Sequence, residues 1–249
     1  MKISFVIPAY NEELYIAECL ESVFSELKSS DCDAEVIVVN NASTDRTGEV
    51  ASSFPSVIVI DEPHKGLTHA RQAGFRLSTG DLIANIDADT RLTKNWINKV
   101  LEEFSDEKLI GLSGPFIYYD ASRKVRFMVR IFYYAGFLSY LINKFIFKVS
   151  SMIQGGNFIL RREALEKIGG YDLKIKFYGE DTDIARRIHS VGDVKFTFSL
   201  PMYASARRLN KEGVVKTGFL YAMNYFWTIY TKKPLTNDYV DIRDDSKYK

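Results

Sequence analysis

Cysteine is nearly missing from this chain. Cys19 and Cys32 are the only two in 249 residues, which excludes a disulfide framework and makes a reduced, cytoplasmic setting the expectation. Cys19 reads as a small packed hydrophobe and Cys32 as part of a polar loop. A dominant charge is lacking too. Lys and Arg number 33 against 32 Asp and Glu, a net +1, so no global field draws in nucleic acid. No charged n-region followed by an apolar run opens the chain. No uncharged stretch reaches the ~18 residues of a membrane span. The longest, 131–143 and 217–231, stop at Lys144 and Lys232. A peripheral or soluble protein is the expectation. Neither Gly-x-Gly-x-x-Gly after the first apolar run nor Gly-x-x-x-x-Gly-Lys-Ser/Thr occurs, which argues against a dinucleotide dehydrogenase and a P-loop enzyme.

What is present is an alternation. Apolar runs at 3–7, 35–40, 57–60 and 82–86 read as buried strands. Helical patterns fall between them, over 12–28, from about 44, and over 69–77. Strand–helix–strand repetition predicts an α/β fold with a mostly parallel central sheet and helices on both faces. The second half is less regular. A short strand is expected at 158–160, helices at 162–168 and 184–190, and a mainly helical aromatic-rich stretch at 211–233, with a frayed tail from Asn237. Catalytic residues are accordingly expected within 1–210, with 211–249 as a C-terminal helical extension and tail.

Ligands on open parallel sheets bind beyond the carboxyl ends of the strands. Three polar segments lie there: 8–12, 40–45 and 87–89. Asp87 and Asp89 offer two carboxylates one residue apart, a donor set suited to Mg²⁺ or Mn²⁺ beside phosphate oxygens. Tyr10 offers a ring for a base and Asn41 an amide for a base edge, although ordinary turn chemistry explains either residue alone. The acidic cluster at 180–183 also fits a helix N-terminus.

Taken in order, these segments resemble family 2 glycosyltransferases of the GT-A fold. The carriers are Val-Ile-Pro-Ala-Tyr-Asn-Glu-Glu at 6–13, Val-Val-Asn-Asn-Ala-Ser-Thr-Asp-Arg-Thr at 38–47, and the stretch 66–74 with Ala70 and Arg71. Asp-Ala-Asp-Thr at 87–90, Gly-Gly-Asn at 155–157 and Gly-Glu-Asp at 179–181 complete them. The resemblance implies a nucleotide pocket formed by Pro8, Tyr10, Glu12, Asn41, Arg71 and Asp87, with Asp89 and Asp87 holding the metal. It places Asp181, preceded by Glu180, as the base of an inverting displacement. Gly155, Gly156 and Asn157 would shape the donor and acceptor pocket, and Arg207 and Arg208 would lie in a mobile basic loop over the diphosphate or form a solvated basic turn. Many relatives carry Asp where this chain has Asn41, so a UDP-sugar is favoured while dTDP and GDP sugars stay open.

The implied acceptor is a glycan or a polyprenyl-linked sugar. The Gln-x-x-Arg-Trp signature of processive synthases is absent, which argues for one sugar per encounter. A nucleotide-sugar-binding subunit without chemistry is the alternative, and a nucleotidyltransferase ranks behind it. The three histidines, His64, His69 and His189, do not cluster in sequence and read as structural or surface residues. On a helix at ~100° per residue, Arg126, Arg130, Lys144 and Lys148 fall in one sector beside Tyr133, Phe137 and Tyr140. Such a helix could lie on an anionic membrane at the inner face, or be buried against 219–230 with its basic ends snorkelling.

Overall fold

The computed structural model describes residues 1–175, 177–236 and Arg243. A seven-stranded sheet carries the fold in the order β3-β2-β1-β4-β8-β6-β9. Its strands are β1 Ile3–Ala9, β2 Ala34–Asn40, β3 Val57–Asp61, β4 Leu82–Ile86, β6 Leu109–Ser113, β8 Asn157–Arg161 and β9 Asp193–Phe196. β3, β2, β1 and β4 run parallel, while β8 is antiparallel to both neighbours. A second sheet joins β5 Thr90–Leu92, β10 Met202–Ala204 and β7 Phe116–Tyr118.

Strand alternation sorts the apolar side chains to two faces. Ile3, Phe5 and Ile7 pack with Ile16, Leu20 and Val23 of helix α1 (Ile16–Lys28) and with Trp96, Ile97 and Val100 of α4 (Trp96–Glu103). Val6 points the other way, towards Phe158, Leu160 and Ile184. On that second face α3 (Leu67–Leu77) presses close: a Cβ on Gly74 would stand 2.4 Å from Val6. The parallel sheet with helices on both faces is therefore as the alternation predicts.

Several boundaries differ from the sequence reading. α1 begins at Ile16 rather than 12, because Asn11 takes φ 51° and residues 12–15 form a turn; Leu14 is exposed. α2 (Thr47–Ser52) starts three residues later than the pattern suggests, where Asp45 Oδ1 accepts from the Thr47 amide at 3.0 Å. The stretch 211–233 is mainly helical, as expected, but in two pieces. Gly213, at φ 84°, separates α8 (Arg207–Glu212) from α9 (Val214–Thr231). Helices α6 (Arg162–Lys167) and α7 (Glu180–His189) follow β8. Apart from Arg243, the tail from Asn237 lies outside the described residues.

α5 (Arg123–Leu141) begins at a cap in which Ser122 accepts from the Val125 amide, and runs on through a π-helical turn, Ile142–Phe147. The 25 residues Arg123–Phe147 form the one helix, among the described residues, long and apolar enough to cross a membrane by length and composition alone. Its basic-aromatic sector is divided. Tyr133, Phe137 and Tyr140 turn towards the domain, with Phe137 in ring contact with Phe196 and Phe198. Lys144 is drawn in as well, to Asp193 at 2.6 Å.

Candidate active site

The carboxyl edge of β1, β2 and β4 opens on a cavity of about 550 Å³. Its floor begins at the end of β4. Asp87 and Asp89 sit in the turn between β4 and β5, where Thr90 donates from both its amide (3.1 Å) and its hydroxyl (2.7 Å) to the Asp87 carbonyl. Opposite lies the turn before β8. Gly156 is at φ 79°, and a Cβ there would come within 2.2 Å of the Asp87 carboxylate, so only glycine lets the two turns meet. Gly155 donates its amide to Asp181 Oδ2 at 3.3 Å. The other Asp181 oxygen accepts from the Thr182 amide at 2.7 Å, in the first turn of α7. Asp181 is not the cap of α7: Gly179 holds that place with no side-chain hydrogen bond, and Asp181 lies in the first turn with its carboxylate at the cavity. Burial raises the Asp181 carboxyl above its ordinary value, against the pull of these donors.

Arg71 is the buried hinge of the site. It is fully buried in α3, and its guanidinium donates to Glu180 Oε1 through Nη1 and to Asp87 Oδ1 through Nη2 at 3.2 Å. It therefore fixes the residue next to Asp181 and the first aspartate of the pair together. Burial lifts Glu180 to about 7 despite the arginine, and its second oxygen has no partner. Asp87 is likewise raised by burial, with Arg71 opposing.

The small second sheet brings a cation to the other aspartate. Ala204 of β10 pairs with Thr90 of β5, and the Ser205 amide donates to the Asp89 carbonyl at 3.2 Å. Arg207 follows at once, and with Arg208 it opens helix α8 instead of lying in the expected basic loop. Its guanidinium lies 3.0 Å from Asp89 Oδ2, pairs with Glu12, and covers the Tyr15 ring at 4.6 Å. Arg243 also reaches Glu12, at 2.6 Å. Burial raises the Glu12 carboxyl while both arginines lower it, and one of its oxygens remains without a partner.

Pro8, Tyr10, Asn41, Arg71, Asp87, Asp89, Gly155, Glu180, Asp181, Arg207 and Arg208 all line this cavity. Glu12, Gly156 and Asn157 do not. Glu12 is buried beneath Arg207. Gly156 is spent on the close approach to Asp87. Asn157 is wholly buried and structural: its oxygen accepts from Trp96 Nε1, and its nitrogen donates to the carbonyls of Gly114 and Leu200, both at 3.0 Å. Asn41 is occupied too. Its amide nitrogen donates to the carbonyls of Glu62 (3.0 Å) and His64 (2.8 Å), and its oxygen accepts from the Gly66 amide at 2.8 Å. It shapes the loop between β3 and α3 instead of presenting an open edge. Lys65 of that loop stands 3.7 Å over the Tyr10 ring.

Sequence reasoning did not find Lys65, Tyr133, Phe177, Tyr178, Tyr221 or Arg243, which also line the cavity. None stands beside an apolar run that ends at this sheet edge. Nor did it bring His64 and His69 together. Their rings lie 5.7 Å apart, and Glu62 joins them in a group of three side chains that could hold a metal, on the loop between β3 and α3 and the first turn of that helix.

Comparison with known proteins gives the family and the fold. The sequence model described as Glycosyl transferase family 2 matches residues 4–169. The chain belongs to glycosyl transferase family 2. A second model, the N-terminal domain of galactosyltransferase, matches 139–205 and so covers the turn before β8 and α7. Among curated relatives of this family-2 chain, a probable glycosyltransferase YdaM of Bacillus subtilis is 32% identical over 213 residues, covering 77% of this chain and 47% of that protein. A dolichol-phosphate mannosyltransferase of Pyrococcus furiosus is 32% identical over 123 residues, covering 47% of this chain and 40% of that protein. The chain thus spans less than half the length of these relatives.

Solved structures show the fold to be GT-A. A mannosyltransferase of Pyrobaculum calidifontis in complex with GDP-Man and Mn²⁺ superposes with a TM-score of 0.63 at 20% identity, over 89% of this chain and 64% of that one. Glucosyl-3-phosphoglycerate synthase of Mycobacterium tuberculosis, with Mn²⁺, UDP-glucose and phosphoglyceric acid, gives 0.60 at 18%, over 93% and 79%.

Proposed function

We propose that this chain is a metal-dependent inverting glycosyltransferase. It moves one sugar from a nucleotide-sugar, a UDP-sugar by preference, to a glycan or polyprenyl-linked acceptor at the cytoplasmic side of a membrane. The observation that carries the reading is that Asp181 and the Asp87–Asp89 pair line one cavity while Arg71 bridges Asp87 to the neighbour of Asp181. The relatives that bind GDP-Man or UDP-glucose with Mn²⁺ support the donor class and the ion.

The residues at the aspartate pair fit a divalent cation. Asp87 and Asp89 present hard oxygens at the cavity wall, 32% and 17% exposed. Each carboxylate also faces a guanidinium, Arg71 at Asp87 and Arg207 at Asp89, so a bound ion would share both with an arginine. Asp89 and Asp87 would hold Mg²⁺ or Mn²⁺, and the bound ion would neutralise charge on the departing diphosphate. The protein's own groups do the remainder. Asp181, held by the amides of Gly155 and Thr182, accepts the proton of the attacking hydroxyl. Arg71 fixes Glu180, the residue beside Asp181 in the first turn of α7. Arg207 and Arg208 lie over the diphosphate end, and Pro8, Tyr10 and Asn41 shape the nucleotide end. Residues 1–210 would form the catalytic domain, with 211–249 as an extension that closes the cavity through α9.

A panel of UDP, GDP, dTDP and CMP, each with and without Mn²⁺, tests this by thermal shift. A nucleotide at 100 times its dissociation constant adds about 2.7 kcal/mol. A shift that needs the ion and disappears in Asp89→Ala is expected; no shift with any nucleotide refutes the donor class.

A further inference from the structure

Helices α5 and α9 pack side by side, with Phe132 against Gly218, yet neither hides the other's apolar surface. Phe127, Ile131, Leu138 and Phe145 recur at helical spacing along α5 and its π-helical turn, each more than half exposed. Phe219, Phe226 and Tyr230 do the same on α9, at 66%, 44% and 61% exposure. The expected burial of α5 against 219–230 is therefore confined to the seam.

Charge is segregated in the same place. No Asp or Glu occurs in 121–162 or in 213–237, although the whole chain is balanced at 33 to 32. Arg123, Lys124, Arg126 and Arg130 lie on α5, and Lys216 on α9, with Lys232 and Lys233 directly after it. Arg126 and Arg130 are exposed. An apolar double stripe set among cations, with acids excluded, is complementary to a surface that is greasy within and anionic at its edge.

The contacts of α5 with the domain do not suit a helix that crosses such a surface. Hydrogen bonds tie α5 to the domain down its length: Tyr133 to Gln154 at 2.8 Å, and Lys144 to Asp193 and to the Val194 carbonyl at 2.6 and 2.7 Å. A spanning helix would have to give these up.

We propose that the α5–α9 face docks the protein on an anionic bilayer, with the apolar stripes at the headgroup–acyl boundary and the arginines and lysines among the headgroups. This deepens the proposal that the acceptor is carried at a membrane, and rests on it for its purpose. Phe132, Gly218, Ala222 and Phe226 line the part of the active-site cavity that lies between the two helices. Docking by this face brings that opening to the lipid.

The test is flotation of the full chain with phosphatidylcholine vesicles, with and without phosphatidylglycerol, alongside nucleotide thermal shifts on the same samples. Flotation only with phosphatidylglycerol, weakened by salt, is expected. Each basic side chain near such a surface is worth about 1 kcal/mol, or about fivefold, so Arg126→Gln with Arg130→Gln lowers partitioning about 25-fold. Phe127→Glu with Phe145→Glu abolishes it and leaves nucleotide shifts unchanged. No flotation overturns the proposal, as does equal flotation on both lipids. So does a dimer that Phe145→Glu turns into a monomer, because a second copy then covers the face. Failure of the nucleotide shifts alone strikes the donor reading and leaves docking standing.

Discussion

Replacing Arg71 by methionine would test whether one buried cation holds the two sides of the site together. The guanidinium is fully buried, lies 5.0 Å from the centre of the Phe158 ring, and serves Glu180 and Asp87 at once. Methionine fills much of the volume, so the loss is chiefly one of charge. Removing one partner of a buried ion pair costs about 3–5 kcal/mol. Asp87 is 32% exposed and recovers part of its share from water, whereas Glu180, at 4%, cannot. The lower half of that range is therefore expected, about 3–4 kcal/mol, or a fall of roughly 6–16 °C in Tm for a chain of this size. Above pH 7, where Glu180 is ionised in the parent, the double variant Arg71→Met, Glu180→Gln should recover most of it, since the amide needs neither a charge nor a proton beside the methionine. Urea and thermal unfolding of the parent and the three variants measure both quantities. A single-variant loss below about 1 kcal/mol, or a double variant no more stable than Arg71→Met, would refute the reasoning.

Other consequences can be checked in the same way. Gly156→Ala places a Cβ 2.2 Å from the Asp87 carboxylate in a left-handed backbone that costs ~1–2 kcal/mol for a non-glycine residue; metal-dependent nucleotide binding, followed by calorimetry, should weaken more than stability does. Glu180 titrates at about 7 when folded against an ordinary 4.5. A raised carboxyl favours the protonated folded state, so its contribution is full below pH 4.5 and is lost as pH rises to 7. Glu180→Gln should flatten that part of the stability–pH curve, and an unchanged slope would count against the assignment. Asn157→Ala leaves Trp96 Nε1 and two buried carbonyls without their partner; a loss of at least ~1–3 kcal/mol in urea unfolding is expected, with nucleotide affinity retained.

The parallel half of the fold was legible because β1, β2 and β4 send apolar side chains to both faces, Ile3, Phe5 and Ile7 to one and Val6, Ile37 and Ile83 to the other, as a covered sheet requires. The same logic located Asp87, Asp89 and Tyr10, which stand just beyond those strands. It could not reach β5, β7 and β10, each three residues long and paired only across the chain. That small sheet carries Arg207 to Asp89. Arg71 was legible as a site residue through its family motif, but its burial was not, since its partner Glu180 lies 109 positions away. Asn41 and Asn157 show the reverse failure. Both carry amides suited to a ligand, and tertiary contacts consume them. On α5, periodicity put basic and aromatic residues in one sector that the structure divides, because it could not tell which side met the domain. The contacts of Phe137 and Lys144 decide that.

The central claim is that Asp181 does the chemistry that the aspartate pair prepares. Single-turnover sugar transfer with Mn²⁺ and the nucleotide-sugar selected by thermal shift, measured for the parent and for Asp181→Asn, tests it most directly. A general base is worth about 10²–10⁴-fold. The amide keeps the size of the carboxylate, so the account requires unchanged donor affinity with transfer lowered by at least ~10²-fold. Transfer by Asp181→Asn at the parent's rate would contradict it.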